Sequence, residues 1–338
     1  MAERLRAGVV GLGAMGRNHA RVLRSLEGVD LVGVVDPAVA GDPGQPDVVD
    51  GVPLHPSLDG LLDAGIDCCV VAAPTAHHRD VAVQLAEAGV HVLVEKPLAG
   101  DVSAASAIAD AVERAGVVGA VGHIERCNPA LIALRQRLEA GELGEVHQIA
   151  TSRQGPFPER IADVGVVLDL ATHDVDLTAW VGGSPYASVT ALTAHKAGRA
   201  HEDLLAATGR LADGTVTTHQ VNWLNPTKER TTVILGEKGK FVADTVTADL
   251  TFHANGTEPL RWDAMRTFRG VTEGDVTRYA IPKREPLVVE LEAFRDAILG
   301  VDSTAAVVSV AEGLQAVRVA EALLASARTG QTVEVVRP

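Results

Sequence analysis

The sequence predicts an α/β protein: an N-terminal doubly wound parallel sheet, followed by a second α/β domain on a large open, mainly antiparallel sheet. Three observations carry this. Short apolar runs alternate with helical patterns and short loops through residue 122, the mark of a parallel sheet with helices on both faces. The first such run opens directly onto Gly11-Leu12-Gly13-Ala14-Met15-Gly16. After Gly122 the runs become longer, alternating and β-branched, with turn dipeptides between them, as an antiparallel sheet requires. The expected domains are therefore residues 1–122 and 123–338.

Ala7 to Val10 reads as a buried strand, the glycine run as a turn, and the next stretch through Leu26 as a helix. A second strand, Leu31 to Val35, ends at Asp36, twenty residues beyond Gly16. Gly11 suits the tight turn, Gly13 lets the backbone approach a pyrophosphate, and Gly16 allows close helix packing. The N–H groups around Leu12, Ala14 and Met15 open a helix N-terminus to the anion. Asp36 is placed to accept hydrogen bonds from an adenosine ribose. Its charge repels a 2′-phosphate, and Pro37-Ala38-Val39-Ala40 offers no arginine to hold one, so the expected cofactor is NAD rather than NADP.

Further along come a short helix (Leu58 to Ala64), a strand (Asp67 to Ala73) that stops at Pro74-Thr75, and a helix from about His77 to Ala88. The strand Val90 to Val94 leads into Glu95-Lys96-Pro97, and a helix (Ser103 to Ala115) and a strand (Val117 to Val121) close the first domain. The Gly-, Pro- and Asp-rich stretch 40–52 reads as a surface loop. The second domain opens with a helix (Pro129 to Ala140), an arginine-bearing loop (Arg153 to Arg160) and a helix over Val166 to Val181. Asp213-Gly214, Glu237-Lys238-Gly239 and Asn255-Gly256 read as hairpin turns, and two helices, begun at Pro286 and at the capping box Ser309-x-x-Glu312, end the pattern.

Bulk properties exclude several classes. A net charge of −14 argues against nucleic acid or an anionic membrane as partner. No run approaches the roughly 18 apolar residues of a membrane helix, and Met1-Ala2-Glu3-Arg4 leads straight into a strand, so a cytoplasmic protein is expected. Cys68, Cys69 and Cys127 lack metal or disulfide spacing. With aromatics at 3%, the cores must be built from Ala, Val and Leu.

Two clusters carry chemistry. Lys96 sits at the carboxyl end of a parallel strand, where doubly wound folds bind ligands, and Pro97 can hold a cis peptide. Asp169, His173 and Asp176 fall at i, i+4 and i+7, on one helix face. A carboxylate one turn from an imidazole can hold its tautomer, as a general acid/base needs. A divalent metal is the rival for this face, but one helix rarely completes a tetrahedral site, so no metal is expected. Arg126, Arg153, Arg160, Lys228 and Arg230 are the second-domain cations suited to a diphosphate.

Gly11-x-Gly13-x-x-Gly16, Ala73-Pro74-Thr75-x-x-His78, Glu95-Lys96-Pro97 and Asp169-x-x-x-His173-x-x-Asp176, in this order, resemble the glucose–fructose oxidoreductase and inositol dehydrogenase (Gfo/Idh/MocA) family along nearly the whole chain. The resemblance implies a Rossmann domain, an NAD-dependent sugar dehydrogenase, and a homodimer or homotetramer formed through the C-terminal sheet. It implies Lys96 and His173 as the catalytic pair, with Asp169 orienting the histidine. Cofactor contacts are then expected from Gly11 to Gly16, Asp36, Ala73, Pro74, Thr75, His78, Glu95, Lys96 and Pro97. Substrate contacts are expected from Lys96, His123, Glu125, Asn128, Arg153, Arg160, Asp169 and His173. Gly122 to Pro129, Gly155 to Ile161, Asp163 to Val166 and Asn222 to Lys228 resemble members that oxidise the 3-hydroxyl of UDP-N-acetylglucosamine. Cys127 departs from them, standing where they carry an aromatic, which widens the expected wall beside the nicotinamide. A free polyol such as an inositol is the alternative substrate, and an NAD-dependent glycosidase the alternative reaction.

Overall fold

The computed structural model describes residues 4–37, 48–49, 51–158, 164–256, 273–303, 305 and 307–336. The chain divides into two compact units. The first is Met1–Cys127 with Glu285–Glu321, and the second is Asn128–Arg284 with Ala322–Pro338.

The first unit starts β1 (Leu5–Val10), α1 (Ala14–Leu23), β2 (Val29–Val35), β3 (Val48–Val49), β4 (Val52–His55), α2 (Leu58–Asp63) and β5 (Cys68–Val71). It continues with α3 (His78–Glu87), β6 (His91–Glu95), α4 (Val102–Ala115) and β7 (Gly119–Gly122). The strands lie in the order β3-β4-β2-β1-β5-β6-β7, parallel throughout except for the short β3–β4 pair. The order reverses between β1 and β5, and doubly wound sheets bind ligands in the crevice at that switch point. The glycine loop and Ala73-Pro74-Thr75 are the segments that follow these two strands.

The second unit holds α5 (Pro129–Glu139), β8 (Val146–Pro156), a π-helical turn (Val167–Ala171) and α6 (Thr172–Gly182). Then come β9 (Tyr186–Ala194), β10 (Leu204–Leu211), β11 (Val216–Asn222), β12 (Leu224–Gly236), β13 (Gly239–Asp244), β14 (Asp249–Asn255) and β15 (Glu273–Arg278). The chain finishes with α7 (Pro286–Leu299), α8 (Val310–Thr329) and β16 (Val333–Glu334). Nine strands line up as β15-β14-β13-β12-β8-β11-β10-β9-β16. The sheet is antiparallel except for β8 beside β11.

Alternation within the central strands explains why residues 285–321 return to the first unit. Cys69 and Val71 face one layer, with Leu85, Ile108, Val310 and Leu314. Cys68 and Val70 face the other, with Val22, Leu287, Leu291 and Phe294. The apolar stripe of α7 thus completes the cover over α1's side of the sheet, and burying each such Leu or Phe is worth roughly 1.5–3 kcal/mol. Phe294 is the one aromatic among the buried residues of these two clusters, as the composition requires.

Several local expectations change. Within 40–52, expected as a loop, Val48–Val49 is strand β3 and β4 opens at Val52, and the loop expected from Arg153 to Arg160 is strand β8 as far as Pro156. Asn255-Gly256 is not a tight hairpin: β14 pairs with β15, but residues 256–272 stand between the strands. The helix expected from Val166 begins as a π turn, and Glu202 holds its start, accepting the Val167 N–H at 3.0 Å through its side chain and the Val166 N–H at 3.0 Å through its carbonyl. The capping box is present as read, with Ser309 N–H donating to Glu312 Oε2 at 2.9 Å and Glu312 N–H to Ser309 Oγ at 3.3 Å. No helix of the described residues is long and apolar enough to cross a membrane.

Candidate active site

The nucleotide loop is tight where the chain needs it and open where a ligand does. A Cβ on Gly11, whose φ is +93°, would lie 2.5 Å from the Ala72 carbonyl, and one on Gly16 would strike the Gly11 carbonyl. A Cβ on Gly13 would meet nothing within 4 Å, so the open side of the turn is free for a pyrophosphate. Gly13 is also the N-cap of α1, and its own side chain cannot satisfy the first-turn N–H groups. An anion there gains hydrogen bonds and the helix dipole. Asp36 sits at the end of β2, its Oδ2 accepting the Leu12 N–H at 2.7 Å, which binds the two dinucleotide-reading segments together. These residues fit NAD.

A second pair of segments is fixed at the ends of β5 and β6. The His78 ring, on α3, spans the Ala73 carbonyl (2.9 Å) and the Pro97 carbonyl (3.0 Å), clasping the two loops. Burial lowers its pKa against the pull of those carbonyls. The Lys96–Pro97 peptide is cis, as expected. Ahead of it, Glu95 accepts His19 Nε2–H at 2.8 Å on one oxygen and the Lys96 N–H at 3.1 Å on the other. Burial works against that carboxylate, yet His19 and Lys96 hold it below its ordinary pKa. His19 has a fully buried side chain, and sequence reasoning passed over it. Its signal was a histidine three residues after Gly16, on the same helix.

In the second unit the π turn and α6 carry Asp169, His173, Asp174 and Asp176, all buried. Within a π turn the residues wind more slowly than in an α-helix, so Asp169 and His173 do not follow the plain α-helical spacing. Asp174, unremarked in the sequence, accepts Arg153 Nε–H at 2.9 Å in an ion pair whose side chains are 5% and 2% exposed. Arg153, expected at a diphosphate, ties β8 to this helix through that pair.

The other expected residues fall in several places. His123 is buried in the first unit and lines a small cavity with Cys127, Leu93, Val308 and Glu290. Burial raises the Cys127 thiol's pKa, and the residue is part of that interior. The Glu290 carboxyl is pushed well above its ordinary value by burial and by the charge of Glu95. Glu125 is half-buried. Asn128 caps α5, accepting the Ala130 N–H at 3.0 Å while donating to the Thr245 carbonyl at 3.0 Å. Arg126 Nη1 donates to Glu312 at 2.7 Å, and Arg230 Nη1 to the Gln154 carbonyl at 2.6 Å. Lys228 is exposed, whereas Arg160 lies outside the described residues. No group of three or more His, Cys, Asp or Glu among the described residues could hold a metal ion.

A Rossmann sheet with a glycine cradle, joined to a nine-stranded open sheet bearing an Asp/His helix, defines a dinucleotide-dependent oxidoreductase of two domains. Residues 5–123 match the model described as oxidoreductase family, NAD-binding Rossmann fold, and residues 131–242 match the Gfo/Idh/MocA C-terminal domain. The chain belongs to the Gfo/Idh/MocA oxidoreductase family, and its first unit is an NAD-binding Rossmann domain. It is 36% identical over 188 residues to UDP-N-acetylglucosamine 3-dehydrogenase of Acidithiobacillus ferrooxidans, an alignment covering 56% of this chain and 58% of that one. It is 32% identical over 197 residues to scyllo-inositol 2-dehydrogenase (NAD(+)) of Bacillus subtilis, covering 56% and 57%. The aligned region thus spans somewhat over half the length of these relatives. Among solved structures, the Acidithiobacillus ferrooxidans enzyme superimposes with a TM-score of 0.81 at 26% identity over 96% of this chain and 97% of that one. GenD2 from gentamicin A biosynthesis, solved in complex with NAD, gives 0.80 at 29% identity over 100% and 98%.

Proposed function

We propose that this chain is an NAD-dependent dehydrogenase that oxidises the 3-hydroxyl of UDP-N-acetylglucosamine, or a close relative, to the 3-keto sugar. The observation that carries it is the buried Asp169–His173–Asp176 segment in a family member 36% identical to a UDP-N-acetylglucosamine 3-dehydrogenase over the aligned region. NAD, held by the glycine loop and Asp36, would supply the acceptor for the hydride of the carbinol carbon. His173 removes the hydroxyl proton, with Asp169 holding the imidazole in the receptive tautomer. Lys96 donates a hydrogen bond to the same oxygen and stabilises its developing charge. The Glu95 carboxylate and His19 keep the Lys96 backbone in place.

The test is absorbance at 340 nm with NAD and UDP-N-acetylglucosamine, run beside myo-inositol and beside NADP, with mass spectrometry of the sugar. A 3-keto nucleotide sugar formed with NAD supports the reading. Turnover of inositol alone replaces it with the polyol reading, which the 32% identity to an inositol dehydrogenase favours. Cleaved glycoside without net NADH would point to the glycosidase. Replacing His173 by Asn should lower turnover on the order of 10²–10⁴-fold, and an undiminished rate removes His173 from the mechanism.

A further inference from the structure

Behind the helix that carries His173 runs a chain of hydrogen bonds that the proposed chemistry does not use. Thr151 Oγ1 on β8 lies 2.8 Å from His219 Nδ1 on β11. His219 Nε2 lies 2.8 Å from the Tyr186 hydroxyl on β9, and that hydroxyl 2.6 Å from Thr178 Oγ1 on α6. Thr178 Oγ1 in turn donates to the Asp174 carbonyl at 2.8 Å. Every side chain in the run is buried.

The donors and acceptors can be placed from the far end. The Asp174 carbonyl, and the Val175 carbonyl farther off at 3.3 Å, only accept, so the Thr178 proton is spent on the backbone, chiefly on the nearer Asp174 carbonyl, and Thr178 Oγ1 must accept from Tyr186. Tyr186 has then used its proton and must accept from His219 Nε2–H. Burial lowers the His219 pKa to about 4, so its ring is neutral at pH 7 and Nδ1 is bare, accepting from Thr151. The chain therefore has one direction, and His219 has one tautomer.

It ends on the residue that Arg153 already grips by its side chain. Asp174 is held at its carboxylate by one strand and at its carbonyl, through three side chains, by two more. It directly follows His173, in the first turn of α6 after the π turn. Backbone hydrogen bonding is less regular there, and external anchors decide where the turn sits.

We propose that Tyr186 and His219 are positioning residues for the reaction, their directed hydrogen-bond chain to the Asp174 carbonyl setting the register of the helix turn that presents His173. The proposal rests on the reading of His173 as the acid/base. A displacement of about 1 Å at such a group can cost on the order of 10²-fold. Tyr186→Phe removes the link to Thr178. His219→Leu removes the ring, while His219→Gln keeps a donor near the Nε2 position and serves as the conservative rescue.

The experiment measures kcat and KM for NAD with UDP-N-acetylglucosamine, NADH binding by fluorescence, and the ring signals of ¹³C-histidine-labelled protein across pH. The His173 signal is identified by its loss in His173→Asn. Tyr186→Phe and His219→Leu should lower kcat roughly 10–100-fold and move the His173 signal and its titration. NADH affinity should stay at the parent value, and His219→Gln should recover most of the rate. A folded Tyr186→Phe protein with parent kcat and an unmoved His173 signal overturns the proposal. So does a loss of rate that is matched by lost NADH affinity and not rescued by His219→Gln, because that is general damage. If His173→Asn turns over normally, the acid/base reading falls by itself, and the signal shift in Tyr186→Phe still decides the coupling.

Discussion

At the residue scale, the three glycines of the nucleotide loop have separable jobs. Gly16→Ala must push its Cβ into the Gly11 carbonyl, backbone against backbone, and should cost the first unit several kcal/mol, as overpacking does. Gly13→Ala meets nothing in the protein and should leave the melting temperature within a degree or two of the parent. The same methyl stands on the open side of the turn that the pyrophosphate must approach, so NAD affinity should fall at least about tenfold, or 1.4 kcal/mol. Calorimetric melting and NADH titration of both variants check this. Equal NADH affinity in Gly13→Ala and parent would mean the dinucleotide lies elsewhere. These roles were legible because spacing alone dictates them. The burial of Arg153 was not, since an arginine beside a loop reads the same whether it faces a phosphate or an aspartate twenty-one residues away. His19 was missed for the same reason: its partner, Glu95, lies seventy-six residues on.

At the element scale, α6 shows how much of a site can hide from periodicity. The i, i+4, i+7 pattern located the helix and its acid–histidine run, yet it gave no sign of the π turn or of Glu202, which holds the start of that turn from a different part of the chain. The anchors Tyr186 and His219 lie on strands whose alternation announces only that they point inward. Their burial has a measurable consequence. His219 binds its proton at pH about 4 in the fold, against 6.5 for the free side chain. With the folded value depressed, the unfolded chain takes up a proton first as pH falls. Stability is then complete above about pH 6.5 and drains away toward pH 4. The loss attributable to this one ring reaches about 3 kcal/mol at pH 4. Urea unfolding of the parent and of His219→Gln at pH 7, 5.5 and 4.5 should show the parent losing more stability than the variant. Parallel curves would show that the ring titrates in the fold as it does free, and a parent that gains on the variant as pH falls would show that the ring is charged in the fold and that the tautomer argument is mistaken.

At the scale of the whole molecule, strand–helix alternation revealed the Rossmann sheet, while the return of α7 and the start of α8 to that unit was invisible to a contiguous boundary at residue 122. The open sheet of the second unit was also legible, and its registers now show what its free face carries. Leu192 pairs with Ala206, Ala206 with Gln220, Gln220 with Ser152, and Ser152 with Thr231, so these five side chains form one row. A second row runs from Val276 through His253, Lys240, Leu235 and Gln148 to Val216. Ile149, Val189 and Ile234 point to the other face and are buried, whereas Leu192 is 69% exposed, Val276 62% and Leu235 43%. This face carries threonines, alanines and branched aliphatics with few charges, the composition expected of the association surface that the sequence analysis places on this sheet. Self-association through this face should give a mass of two or four times 35.2 kDa by light scattering. Leu192→Lys combined with Leu235→Lys places two ammonium groups in the contact, where burial without partners costs several kcal/mol each. The doubly substituted protein should fall to a single-chain mass while NADH still binds its first unit, because neither residue belongs to the Rossmann sheet. An unchanged mass would put the association surface elsewhere, and a parent that is monomeric at micromolar concentration would leave this face to solvent.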